Sequence, residues 1–168
     1  MAVGRHNEAF RVVPGVRLGA TVCGIKKNQT TDLVLFEFVE GSATVGVFTR
    51  NLFAAAPVLV GRSHLETSPA RYFLINSGNA NAGVGDAGVE DAMDCCKALA
   101  EATGVSPSAV IPFSTGVIGV RLPVAKITSA LGRLTTQVDE NNWLLAARGI
   151  MTTDTRPKIA SRQLVVGG

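Results

Sequence analysis

Residues 110–119 read VIPFSTGVIG, in which an apolar run passes into small polar residues and two glycines. The run Val110–Phe113 predicts a buried strand, and Ser114-Thr115-Gly116 predicts a turn at its end. A hydroxyl and a glycine N–H would then lie together at the mouth of the strand. Both groups donate hydrogen bonds, and glycine lets a ligand come close to the backbone, so the pair can hold an oxyanion.

Two other interpretations of Ser114-Thr115-Gly116 stay open. The hydroxyls can form a turn in which they bond only the local backbone. Ser114 or Thr115 can also be a serine-type nucleophile, which needs a positioned base, yet neither His6 nor His64 lies in a recognisable base motif. The surroundings also differ from a Gly-x-Ser-x-Gly elbow. The sequence thus indicates an oxyanion hole without a convincing nucleophile, which is half of an active site.

The rest of the chain alternates between strand-type and helix-type patterns, which favours an α/β fold. Strands are predicted over 32–39, 43–48, 56–60 and 71–75, with a strand-like run at 163–166. Helices are predicted from Asp86 or Gly88 to Gly104, from Pro123 through Leu134, and over Trp143–Ile150 with Asn141 or Asn142 as its cap. Together these patterns give about six strands and three helices.

Length and composition limit how many domains the chain can form and which kinds of molecule it can bind. The 168 residues are 46% hydrophobic and 17% charged, which predicts a single domain over residues 1–168 with either a large core or a large subunit interface. The net charge is +3, but no run of basic residues is longer than Lys26-Lys27, and only 5% of residues are aromatic. This argues against nucleic-acid binding.

The three cysteines, Cys23, Cys95 and Cys96, are odd in number, and two of them are adjacent. This pattern predicts reduced cytosolic thiols rather than disulfides, with Cys95 and Cys96 inside a helix. No metal-ligand spacing involves them. We see no signal peptide in residues 1–10 and no apolar run long enough to span a membrane, so we expect a cytoplasmic protein.

A glycine pattern at residues 83–88, GVGDAG, matches the GxGxxG fingerprint of dinucleotide-binding proteins. Residues 76–82 separate it from the preceding strand, so the turn is not tight. The acidic residue that should end a second strand about 20 positions later is also missing. We therefore interpret the pattern as a helix entry and predict no dinucleotide cofactor.

Two further polar segments can be structural or functional. Asn76-Ser77-Gly78-Asn79-Ala80-Asn81-Ala82 holds three amides, which we interpret as a brace rather than a wall of a ligand site, because Asn-rich loops bond their own backbone. Met151-Thr152-Thr153-Asp154-Thr155 follows the last predicted helix. Its chemistry alone favours a capping segment, although its hydroxyls can also contact a substrate.

Six segments, taken together and in order, resemble the ornithine (glutamate) N-acetyltransferase family of arginine biosynthesis. They read Gly24-Ile25-Lys26-Lys27, Val47-Phe48-Thr49-Arg50-Asn51, Ala55-Ala56-Pro57-Val58, Asn76-Ser77-Gly78-Asn79-Ala80-Asn81-Ala82, Ser114-Thr115-Gly116-Val117-Ile118-Gly119 and Ile150-Met151-Thr152-Thr153-Asp154-Thr155 with Pro157-Lys158. One departure is Gly83-Val84, where the family commonly has Cys-Thr.

The resemblance implies a layered α/β sandwich of the self-processing, N-terminal-nucleophile-like type. In that family a precursor cuts itself before a threonine, which becomes the nucleophile of a second, β chain. The present sequence would be the α chain, an N-terminal fragment whose fold and active site the β chain completes. The family's Lys-Gly-x-Gly-Met motif, cut site and catalytic threonine would lie beyond Gly168.

The resemblance also assigns roles to residues of this chain. The family's oxyanion hole maps to the Thr115 hydroxyl and the Gly116 N–H, and a substrate-contacting threonine maps to Thr152, with Thr153 second. The implied reaction is ping-pong acetyl transfer from N2-acetylornithine to glutamate in an α2β2 assembly, with no metal or organic cofactor. The residues leave open acetyl-CoA as a second acetyl donor.

Two other functions are compatible with the same residues. A self-processing amidase or aminopeptidase would use the same oxyanion hole but would pass the acyl group to water. A non-catalytic scaffold or binding subunit would explain the missing nucleophile. The order of the six segments favours the acetyltransferase.

Overall fold

The computed structural model describes residues 11–165 as a mixed sheet with helices. The strands are β1 (Val16–Thr21), β2 (Leu33–Phe38), β3 (Tyr72–Asn79) and β4 (Val110–Val117). The α-helices are α1 (Ala56–Thr67), α2 (Asp86–Thr103), α3 (Val124–Thr136) and α4 (Trp143–Gly149), and a short 3-10 turn, Pro107–Ala109, precedes β4. Strands and helices share one core, as the predicted α/β class requires.

The four strands form one sheet in the order β1-β2-β3-β4. Strands β1 to β3 pair antiparallel, whereas β3 and β4 pair parallel, with α2 as the crossover between them. Because β3 and β4 run in the same direction, their carboxyl ends meet at one edge. Both polar segments, Asn76–Ala82 and Ser114–Gly119, lie at this edge.

The two faces of the sheet are covered differently. One face, with Leu35, Leu74 and Val110, packs on the helices, where it contacts Leu99 and Leu134 in a core cluster of fully or almost fully buried side chains. Each such leucine contributes about 1.5–3 kcal/mol of burial free energy. The other face carries a row of aromatic rings that is covered less completely: Phe36, Phe38, Phe73 and Phe113. Trp143 of α4 packs edge-on against Phe36 from that side.

Two predicted strands are wrong. Residues 56–60 begin α1, in which Pro57 lies in the first turn and buried Ala56, Val60 and His64 recur at helical spacing. A short apolar run fits either structure, and here packing on β4 selects the helix. Residues 43–48 form no strand, since no described segment pairs with them, and Val45 and Val47 are almost fully exposed.

Other boundaries also differ from the predictions. Strand β1 was missed because Gly19 interrupts its apolar pattern; a Cβ there would lie 2.8 Å from the Leu134 carbonyl oxygen. Strand β3 runs beyond Ile75 through the first asparagines, and α3 begins at Val124, with Pro123 as its N-cap. Residues 163–165 form no strand, and residue 166 lies outside the described residues.

The remaining elements confirm the sequence interpretation. Strand β2 lies within 32–39, and α2 ends where Gly104 adopts a left-handed conformation with φ +73°. Cys95 and Cys96 lie in α2 as buried free thiols, and Cys23 is also free. Among the helices of residues 11–165, none combines the length and apolarity needed to cross a bilayer.

Candidate functional site

The end of β4 is part of the sheet rather than a turn beyond it, which corrects the predicted turn at Ser114-Thr115-Gly116. Gly116 pairs with Gly78 on β3, and a bulge follows in which Asn79 faces both Thr115 and Val117. Gly116 has φ +138°, and a Cβ there would lie 2.4 Å from the Gly78 carbonyl carbon. Only glycine fits this position. The bulge directs the chain away from β3 and leaves Gly116 exposed.

Ser114 and Thr115 differ in what their hydroxyls do. Ser114 Oγ donates a hydrogen bond to Asn76 Oδ1 at 2.6 Å. Thr115 is half-buried, and within residues 11–165 its hydroxyl has no hydrogen-bond partner. The Thr115 hydroxyl and the exposed backbone of Gly116 can therefore receive a ligand oxygen, whereas Ser114 is part of the internal support.

The three asparagines of residues 76–82 form the predicted brace. All three are buried, and their amide groups bond backbone: Asn76 Nδ2 donates to the Asn79 carbonyl at 2.8 Å. Asn79 Nδ2 donates to the carbonyls of Val120 and Arg121, which lie just after β4, at 3.0 and 3.1 Å. Asn81 Nδ2 donates to the Gly88 carbonyl at 2.8 Å. The brace thus fixes the end of β4 and the start of α2 to β3.

A second fixed loop, residues 23–26, lies beside the end of β3. Asp32 is fully buried, and its carboxylate accepts backbone N–H groups of Cys23, Ile25 and Lys26 at 2.6, 2.6 and 2.9 Å. A Cβ at Gly78 would lie 2.9 Å from the Ile25 side chain, so the loop is packed directly on β3. Sequence analysis did not identify Asp32, because a lone acid before a strand carries no distinctive signal.

The predicted substrate threonines lie elsewhere at this edge. Thr152 and Thr153 follow α4 in irregular structure and are exposed. Thr152 lines a cleft together with Lys26, Thr31, Arg148 and Asp154. Lys26 and Arg148 are basic and Asp154 is acidic, so the lining includes two groups that can pair with a substrate carboxylate. Thr115 and Gly116 do not line it, so the two predicted pairs are connected only indirectly, through β3.

The titratable groups near the site fit a binding role better than a nucleophilic one. His64 is buried on α1, and its Nδ1 lies 2.7 Å from the Val110 carbonyl oxygen, so it is not placed as a base for Thr115. Partial burial lowers the pKa of Lys26, while Asp32 opposes this shift. Burial raises the pKa of Cys23 to about 12, which keeps its thiol protonated. His6 lies outside the described residues.

The described residues contain no cluster of metal ligands, and the glycine pattern at 83–88 lies at a helix entry. Within 11–165, no group of three or more His, Cys, Asp or Glu side chains is placed to hold a metal ion. The glycine pattern at 83–88 enters α2 as predicted, with φ +70° at Gly83 and +64° at Gly85. Gly88 packs inward, where a Cβ would lie 2.6 Å from the Val84 side chain. These glycines serve the helix entry and its packing.

Comparison with known proteins identifies the family. The model of the ArgJ family matches residues 17–168. The arginine biosynthesis bifunctional protein ArgJ of Pseudomonas syringae pv. tomato is 49% identical over 169 aligned residues, which cover 100% of this chain and 42% of that protein. The chain thus spans about two fifths of the length of this curated relative.

Two solved structures share the fold. The ornithine acetyltransferase of Mycobacterium tuberculosis, solved with ornithine, superposes with a TM-score of 0.81 at 35% identity, covering 84% of this chain and 78% of that one. The arginine biosynthesis bifunctional protein ArgJ of Bacillus halodurans gives 0.79 at 28% identity, with 84% and 74% covered. They confirm the predicted α/β sandwich of the self-processing, N-terminal-nucleophile type. The six-segment resemblance is also confirmed, and the chain belongs to the ArgJ family.

Proposed function

We propose that this chain is the α chain of a glutamate N-acetyltransferase, which transfers an acetyl group from N2-acetylornithine to glutamate. The observation that carries the proposal is the end of β4, where the Thr115 hydroxyl has no hydrogen-bond partner among the described residues and Gly116 is exposed. Membership of the ArgJ family and the ornithine bound to a relative of the same fold support the substrate class.

The proposed reaction has two half-reactions. The hydroxyl of an N-terminal threonine on a β chain attacks the acetamide carbonyl of N2-acetylornithine, and the threonine's α-amine accepts the hydroxyl proton. Thr115 Oγ1 and Gly116 N–H donate hydrogen bonds to the oxyanion that forms. The carbon–nitrogen bond then breaks, ornithine leaves with the proton on its amine, and an acetyl-threonine ester remains.

The second half-reaction returns the enzyme to its starting state. The glutamate amine attacks the ester carbonyl, the same two donors hold the oxyanion, and the threonine oxygen leaves and is reprotonated. Throughout, the cleft that Thr152 lines binds the amino-acid part of the substrate, with Thr153 as the second candidate for that contact. No step requires a metal or an organic cofactor.

Exposed apolar residues support a second chain as the partner. Val45, Val47 and Leu52 are 95%, 102% and 106% exposed, and all lie between β2 and α1. Contiguous exposed apolar side chains of this kind mark protein interfaces. We propose that a β chain from the same precursor covers them and that the single domain of this chain is completed there, in an α2β2 assembly.

Intact mass spectrometry of the full-length gene product, combined with an acetyl-transfer assay, tests the proposal. We expect two co-purifying chains, the second beginning with threonine, and transfer from N2-acetylornithine that depends on glutamate. Equally fast release of acetate without glutamate would identify an amidase instead. A single uncut, inactive chain would contradict the proposal and favour a scaffold or binding subunit.

A further inference from the structure

One buried serine lies between the two parts of the proposed site. Ser77 is fully buried on β3, although its side chain is polar. Its backbone N–H donates to the Asp32 carbonyl at 2.9 Å, and its Oγ donates to the Gly149 carbonyl at 2.5 Å. A buried hydroxyl needs such a partner, and this one joins segments 72 residues apart in the chain.

The carbonyl of Gly149 accepts a second hydrogen bond, from Lys26. Lys26 Nζ lies 3.4 Å from the Gly149 oxygen and 3.0 Å from the Thr31 oxygen, while its backbone is fixed by Asp32. Gly149 is also packed closely on the sheet, because a Cβ there would lie 2.4 Å from Val34 Cγ2. The end of α4 is therefore held to β2, β3 and the 23–26 loop at one point.

The same serine is next to the proposed oxyanion hole. Ser77 pairs with Thr115 in the parallel register of β3 and β4. On its other side, Gly149 precedes Thr152 by only three residues. One residue thus contacts both the strand that carries the oxyanion donors and the helix end from which the substrate-binding segment starts.

We infer that Ser77 is a positioning residue, whose hydrogen bond to Gly149 sets the place of Thr152 relative to Thr115 and Gly116. This inference rests on the proposed function. Loss of the hydroxyl removes the contact that fixes the end of α4 to β3, so residues 150–153 are positioned less well. The oxyanion donors stay in place, because the Asn79 brace holds them independently of Gly149.

A double-mutant cycle in the full-length, processed protein tests the inference. In a folded enzyme we expect Ser77→Ala to raise KM for N2-acetylornithine about tenfold with little change in kcat, since ground-state contacts to the substrate are lost. Thr152→Ala should then add little to the KM of the Ser77→Ala enzyme. The losses of kcat/KM caused by Thr115→Ala and by Ser77→Ala should multiply in the double variant, because the oxyanion contact is separate.

A purely structural role would give a different result. In that case Ser77→Ala would lower the melting temperature while KM stayed at its wild-type value. Alternatively, KM would rise, but the increases from Ser77→Ala and Thr152→Ala would multiply in the double variant. Either finding overturns the inference while wild-type transfer leaves the proposed function intact. Absence of glutamate-dependent transfer in the wild-type enzyme would instead overturn both.

Lys26→Met serves as the second variant if Ser77→Ala does not fold. It removes the other hydrogen bond to the Gly149 carbonyl from a less buried side chain. Because Lys26 also lines the cleft with Thr152, the deciding result is the non-additivity of the Lys26→Met and Thr152→Ala effects on KM; additive effects would contradict the inference. An unchanged KM in folded Lys26→Met would contradict the inference. Lys126→Met is the matched control, because Lys126 Nζ bonds the nearby Gly24 carbonyl but not Gly149.

Discussion

The polar groups at the carboxyl end of β3 and β4 divide into a braced side and an open side. The braced side comprises Asn76, Asn79, Asn81 and Ser114, and their amides and hydroxyl bond other parts of the chain. The open side comprises Thr115, Thr152 and Thr153, which are half-buried or exposed. Both sides use small uncharged polar residues. Availability to a substrate therefore depends on whether the fold supplies an internal partner, not on the residue type.

The largest effect is expected on the open side, from Thr115→Ala. Removing one oxyanion donor costs about 2.7–4 kcal/mol of barrier, so we expect kcat to fall about 10²–10³-fold with assembly largely intact. Steady-state transfer assays measure this, and Thr115→Ser, which keeps the hydroxyl, should retain most of the activity. Normal kcat in Thr115→Ala would end the oxyanion assignment.

The matched control is the adjacent hydroxyl on the braced side. Ser114→Ala removes only the hydrogen bond to Asn76, so kcat should stay near the wild-type value while stability falls by about 0.5–1.5 kcal/mol. A loss of activity as large as that of Thr115→Ala would instead indicate that Ser114 is a nucleophile, and it would contradict the division into a braced and an open side.

The next effect is on stability, from Asn79→Ala. This change removes donors to two carbonyls and the acceptor of the Asn81 N–H, and leaving a buried polar group unpaired costs about 1–3 kcal/mol. The urea midpoint should therefore drop clearly. Thr152→Ala, on the open side, should change the free energy of unfolding by no more than about 0.5 kcal/mol. Equal midpoints for the two variants would contradict the division into sides.

Near neutral pH the smallest effect concerns the two buried thiols of α2, Cys95 and Cys96. Burial raises the pKa of Cys95 from an ordinary value of 9.0 to about 12 and also raises the pKa of Cys96. Both thiols should resist a disulfide reagent at pH 8 until the protein is unfolded. As the pH rises from about 9 to 12, the unfolded thiols ionise first, so the free energy of unfolding should fall.

Cys95→Ala provides the control for this pH dependence. The variant should lose part of the decline in stability between pH 9 and 12, because one of the raised thiol pKa values is gone. Fast modification of Cys95 and Cys96 at pH 8 in the native protein would show that α2 opens readily, contrary to its packing in the core.

The elements predicted correctly are those whose signals lie between neighbouring residues in the chain. Acidic residues and a left-handed glycine mark the two ends of α2, and the alternating apolar run marks β2. Residues 56–60 and 43–48 were assigned wrongly because a short apolar run takes its structure from what packs on it. In α1 that partner is β4, whereas no described segment pairs with residues 43–48.

Part of the candidate site also has a signal between neighbouring residues. Thr115 and Gly116 are adjacent in the chain, so one sequence pattern indicates both. The Asn-rich segment predicts a structural brace, because asparagine side chains commonly bond the nearby backbone. Two other contacts have no sequence signal: the hydrogen bond of Ser77 to Gly149, and the three backbone N–H bonds that the Asp32 carboxylate accepts. Each joins residues that share no motif. Such contacts depend on how helices and strands are placed after folding, which single-sequence patterns do not encode.

The α/β class, the family and the residue types that can hold an oxyanion follow from sequence patterns alone, because periodicity, capping and ordered segments are properties of neighbours along the chain. Folding, by contrast, gives the Ser114 hydroxyl an internal partner, places Gly116 against β3, and joins Ser77 to Gly149, three residues before Thr152. The physical reason is that a polar group's availability depends on partners brought close by the fold.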